Sequence, residues 1–110
     1  MAEQSDCECL VLDFVRWPFD EKSLGIGRNW VDVSLRTCRR CGRIWLHCHY
    51  ENEAFKESGQ WYRGVVSAEV AQNIEAKDAL DALADLDWYI CGGSFFRRVY
   101  KDSGPISILP

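Results

Sequence analysis

Four cysteines carry the strongest chemistry in this chain. Cys7 and Cys9 lie in Asp6-Cys7-Glu8-Cys9-Leu10, and Cys38 and Cys41 in Thr37-Cys38-Arg39-Arg40-Cys41-Gly42-Arg43. Two short clips supplying four thiolates match the closed tetrahedral shell of a structural Zn²⁺. Cys7 and Cys9 are two apart, so in an extended segment both sulfurs point to one side. The 28 residues between Cys9 and Cys38 leave room for a strand out, a loop and a strand back. Gly42 relieves the backbone just after the last ligand. Arg36, Arg39, Arg40 and Arg43 surround the second clip and would offset part of the negative charge of a four-thiolate site. Iron fits the same cage. A competing set joins Cys38 and Cys41 to His47, Cys48 or His49. Reach disfavours it, because an extended strand would carry His47 roughly 20 Å from Cys41.

Acid–base types cluster in one other place, the row His47, His49, Glu51 and Glu53. Residues two apart share a face of a strand, so the row could hold a second metal; the simpler reading is the solvated face of an edge strand. No G-x-S-x-G, H-E-x-x-H or phosphate-cradling glycine loop is present. Cys91-Gly92-Gly93-Ser94 has the look of a nucleophile turn, but nothing in the sequence brings a histidine to it. Cys48 and Cys91 read as small buried hydrophobes. The chain therefore reads as non-catalytic.

The elements that must position these residues follow from periodicity. Leu10 to Trp17 reads as a strand ended by Pro18. Phe19 to Arg28, with Asp20-Glu21-Lys22-Ser23 and two glycines, reads as a loop. Asn29 to Thr37 alternates Val31, Val33 and Leu35 with polar residues, which predicts a strand running into the second clip. Arg43 to Tyr50 is the outgoing strand, with Ile44, Leu46, Cys48 and Tyr50 on one face and Trp45, His47 and His49 on the other. Glu51 to Gly64 reads as an irregular segment whose large rings pack back over the sheet. Ser67 is an N-cap for a short helix to Ile74. Ala79, Leu80, Leu83 and Leu86 form the buried stripe of a second helix over Ala76 to Leu86. Asp87 to Gly93 leaves the helices, and Phe95 to Lys101 is a further strand. These elements predict a single α+β domain over residues 1–110: a small antiparallel sheet with a zinc knuckle hairpin and two short helices on one face.

The run Cys38-Arg39-Arg40-Cys41-Gly42-Arg43-Ile44-Trp45 resembles the knuckle of zinc-ribbon domains, a C-x-x-C-G turn between two strands. The likeness covers Leu35 to Tyr50. Zinc ribbons usually carry a second C-x-x-C, where this chain offers C-x-C. The remaining segments resemble small bacterial proteins, some of which accompany toxins.

Charge sorts the partners. The formal net charge is −4, but it is unevenly spread: Arg28 to Arg43 is basic, and Ser67 to Asp87 strongly acidic. Asp78, Asp81 and Asp85 line the polar side of the second helix and could steer a basic protein surface. A small, acidic, non-catalytic chain fits an immunity or antitoxin type of interaction protein. The alternative is nucleic acid, gripped by Arg36, Arg39, Arg40 and Arg43 with Trp30 and Trp45 nearby; the acidic helices oppose it. A metal- or thiol-dependent enzyme is the remaining class. The polar, acidic start and the lack of an apolar run of spanning length predict a cytoplasmic protein. Six cysteines in such a compartment favour metal over disulfides.

Overall fold

The computed structural model describes residues 19–51, 58–93 and 98–106. Cys7, Cys9 and the expected strand Leu10 to Trp17 lie outside the described residues, as do Phe95, Phe96 and Arg97 of the expected strand Phe95 to Lys101.

The described chain forms a six-stranded antiparallel sheet in simple sequential order. Its strands are β1 (Phe19–Ile26), β2 (Asp32–Cys38), β3 (Ile44–Tyr50), β4 (Gln60–Val66), β5 (Tyr89–Gly92) and β6 (Tyr100–Asp102). Helices α1 (Ala68–Asn73) and α2 (Ala79–Ala84) lie between β4 and β5. The expectation of an α+β fold built on a small antiparallel sheet with two short helices holds. No described helix is long and apolar enough to cross a membrane.

Ser67 caps α1 as expected, its Oγ accepting from the Val70 N–H at 3.1 Å. The second helix is shorter than its periodicity indicates. Ala76–Asp78 is a turn of 3₁₀ helix and only Ala79–Ala84 is α-helical. Ala79, Leu80 and Leu83 are buried as the stripe requires. They pack with Val33, Leu35, Leu46, Cys48, Tyr62 and Tyr89, so one sheet face and the helices share a core.

Three segments differ from their reading in the sequence. Phe19–Ile26 is a strand, not a loop. Among the described residues it is an edge strand whose exposed Asp20, Glu21 and Lys22 conceal it, and such charges are how an edge avoids pairing with other chains. A bulge between Ser23 and Gly25, where Gly25 has φ +96°, absorbs the register shift against β2. Gln60–Val66 is also a strand, paired along its length with β3, instead of packing over the sheet as irregular chain. Gly64 obscures its alternation, and packing explains the glycine: a Cβ there would stand 2.4 Å from Leu86 Cδ1 and 3.0 Å from Leu83 Cδ2. Tyr89–Gly92 is a third strand, too short to show a period. The β2 strand itself begins later than expected, because Asn29 and Trp30 belong to a turn (Arg28–Trp30).

The sheet's second face divides into two halves. Around the β2–β3 turn it is apolar and aromatic, with buried Cys38, Trp45 and Ile90 and the neighbours Phe19, Cys41, Trp61, Val65 and Trp88. Toward the β1–β2 turn it carries Ser23, Ser34, Arg36, His47 and His49.

Candidate functional site

The β2–β3 turn holds the two described members of the cysteine set. The Cys38 N–H donates to the Arg43 carbonyl at 2.8 Å and the Gly42 N–H to the Cys38 carbonyl at 2.9 Å. Gly42 adopts φ +82°, the left-handed conformation that favours glycine there. Both sulfurs accept hydrogen bonds: the Arg40 N–H reaches Cys38 Sγ at 3.4 Å, and Arg43 Nη1 reaches Cys41 Sγ at 3.2 Å. Cys38 is buried and Cys41 half-buried. Among the described residues, no three His, Cys, Asp or Glu side chains come together to hold a metal. The set of Cys38 and Cys41 with a residue of β3 is thus not assembled. Strand β3 runs extended away from the turn, and Cys48 faces the helices while His47 and His49 face the other way.

Of the four arginines at this end, two are engaged with carboxylates of β1. Arg39 Nε meets Asp20 Oδ1 at 2.8 Å, and Arg36 Nη2 meets Glu21 Oε2 at 3.5 Å. Part of the basic charge that favoured nucleic acid is therefore compensated within the sheet.

His47 and His49 do not lie on an edge strand: β3 is third in a sheet of six. An edge of His47 reaches solvent, but its ring stacks on Trp61 with centroids 6.2 Å apart and planes 17° from parallel. Burial pushes its pKa down to about 3, helped by the charges of Arg36, His49 and Arg63. It is a neutral imidazole at ordinary pH. His49 Nε2 lies 4.0 Å from Glu51 Oε1, and Glu53 lies outside the described residues. Cys48 and Cys91 are fully buried. Burial raises both thiols, Cys48 to about 12, which makes them poor nucleophiles. Cys91 Sγ sits 3.7 Å from the Tyr100 carbonyl.

Asp78, Asp81 and Asp85 are all exposed. Asp78 precedes α2 without capping it through its side chain, and Asp85 closes the helix. Asp81 Oδ2 meets Arg28 Nη2 at 2.5 Å, and Arg28 Nε also donates to the Lys77 carbonyl at 3.1 Å. Arg28 thereby ties the β1–β2 turn to the acidic element. The same turn is closed by the Gly27 N–H donating to the Val31 carbonyl at 2.8 Å. Gly27 must lack a side chain, because a Cβ would stand 2.3 Å from the Ala76 carbonyl oxygen.

At the apex of that turn stands a residue whose exposure the sequence does not reveal. Trp30 is 82% exposed, and Ile26 at the end of β1 is 56% exposed. Asn29 and Trp30 both have positive φ, 58° and 63°. Asparagine tolerates this region; for a bulky residue it is an outlier. The composition shows five tryptophans, and among the described ones it is the turn geometry that distinguishes Trp30 as turned outward.

No known protein family, curated protein or solved structure matches this chain.

Proposed function

We propose that this chain is a non-catalytic protein-interaction module, stapled by a structural Zn²⁺ on Cys7, Cys9, Cys38 and Cys41, that engages a basic protein partner through Trp30 and the acidic rim of Asp78, Asp81 and Asp85. One observation carries the reading: the chain holds a large indole almost fully in solvent on a strained backbone. A left-handed tryptophan costs about 1–3 kcal/mol, a strain that persists where the surroundings fix it and that clusters at functional positions. Tryptophan is also among the residues most enriched at the energetic centres of protein interfaces. Arg28 fixes the turn against the acidic segment, so the indole is presented beside a surplus of carboxylates. That pairing suits an apolar pocket with a basic rim, as an immunity- or antitoxin-type protein would meet on its target.

The metal contributes order at the opposite end of the sheet. A four-cysteine shell has no open position for water, so the ion is structural and takes no part in a reaction.

Affinity capture from a lysate with the wild-type chain and with Trp30→Ala tests the reading. The expected result is a specific protein retained by the wild type and lost by the variant, with little nucleic acid. Nucleic acid retained by both, and released steeply by salt, would replace this reading with the nucleic-acid one.

A further inference from the structure

A depression of about 460 Å³ opens on the sheet face opposite the helices, above β1, β2 and β3. Its lining residues are mostly polar: Glu21 and Ser23 from β1, Ser34 and Arg36 from β2, His47 and His49 from β3, with Val33 as the apolar exception. Asp32 completes its wall. The register explains the grouping. Ser23, Ser34 and His47 are cross-strand neighbours in one row; Glu21 and Arg36 face each other in the next; Asp32 and His49 face each other on the far side.

This arrangement discriminates between ligand types. Val33 is the one apolar residue of the lining, so an apolar ligand would leave most of the polar groups unpaired. Anions meet two carboxylates, Glu21 and Asp32, and the one guanidinium of the lining, Arg36, already lies against Glu21 at 3.5 Å. The centre of the depression is uncharged, made of two hydroxyls and an imidazole that burial keeps neutral. Each of those groups both donates and accepts, as does each flanking acid–base pair taken together. Among the described residues the buried Arg36 Nε has no hydrogen-bond partner, and an orphaned buried donor calls for one. The volume is in the range of small-molecule sites and admits a ligand of monosaccharide size.

The geometry points to a binding site for a small, neutral, hydroxyl-rich ligand, a monosaccharide or polyol, seated on Ser34 and His47 between the Glu21–Arg36 and Asp32–His49 pairs. A hydroxyl group, itself donor and acceptor, satisfies alternating partners without needing a net field. The site is separate from the Trp30 surface in its residues and does not depend on the protein-partner reading.

Saturation-transfer NMR on the full chain tests it. The neutral probes are the methyl glycosides of glucose, galactose and mannose, and glycerol; the charged probes are acetate, inorganic phosphate and ethylammonium. The expected result is transfer to at least one neutral probe at millimolar concentration, exceeding transfer to every charged probe. Ser34→Ala should weaken that binding about fivefold or more, the loss of one hydrogen bond or slightly more. Asp32→Asn, at an exposed position that leaves the fold intact, should do the same even where Ser34→Ala disturbs packing. Transfer that is absent from all neutral probes, stronger to a charged probe, or unchanged in both variants would overturn the inference.

Discussion

Arg28 and Asp81 join the β1–β2 turn to helix α2, Nη2 to Oδ2 at 2.5 Å. Both side chains are more than half exposed. The pair is therefore worth about 0–1 kcal/mol to the fold at most. It anchors the turn that carries Trp30 two residues on. Arg28→Ala should leave the urea midpoint nearly unchanged while weakening partner binding several-fold, with the loss in the off-rate because the indole is no longer held.

Trp30 itself should show a conflict between stability and function. Trp30→Gly removes a side chain from a left-handed position, relieving about 1–2 kcal/mol of strain, while the added freedom of glycine in the unfolded chain returns about 0.5–1. The net expectation is a modest gain in stability, read as a higher thermal midpoint, together with loss of the partner. A fall in the midpoint would show that the turn depends on the indole.

Two glycines separate packing from backbone conformation. Gly64→Ala pushes a methyl into Leu86 and Leu83 and should cost about 1–3 kcal/mol by overpacking. Gly42→Ala meets nothing within 4 Å but sits at φ +82°. It should cost about 1–2 kcal/mol through the backbone alone. Urea denaturation of both variants checks the pair.

His47 gives the fold a pH dependence of definite sign. Its pKa is about 3 in the folded state against an ordinary 6.5. Between those values the unfolded chain binds a proton that the folded chain does not. Stability is therefore full above pH 6.5 and falls by this term as pH drops toward 3. His47→Gln should flatten that limb of the stability profile. An unchanged slope would show that the imidazole charges freely in the folded state.

Much of the helical half was legible in the sequence, because its signals are local. Ser67 announced a cap, and Ala79, Leu80 and Leu83 spaced a buried stripe. The strands were legible where one face met the helices, as with Val33 and Leu35 or Leu46 and Cys48. They were hidden where tertiary context set the residue type: charges on the edge strand β1, and Gly64 on β4 where α2 approaches. The site divides in the same way. The Cys38–Cys41 turn shows in its spacing, whereas the depression over Ser34 and His47 arises from register between three strands. The outward turn of Trp30 arises from two dihedral angles, and neither leaves a mark on residue spacing.

Metal content is a separate test of the staple. The chain purified without added metal should carry about one zinc, and Cys38→Ser should lose it together with solubility or much of its thermal stability. Cys48→Ala, inside the helix-facing core, should retain the metal and cost an ordinary core penalty of about 1–2 kcal/mol. Folding that persists in strong chelator, with no zinc or iron bound, would remove the staple from the account.

The protein-interaction claim is tested most directly by the affinity of the captured partner for the wild-type chain and for Trp30→Ala, measured by titration calorimetry on variants shown to be folded. The expected result is a protein ligand whose affinity falls by at least about 2 kcal/mol, roughly 30-fold, on removal of the indole, with Asp85→Lys slowing association. Equal affinity for the two chains would contradict the account.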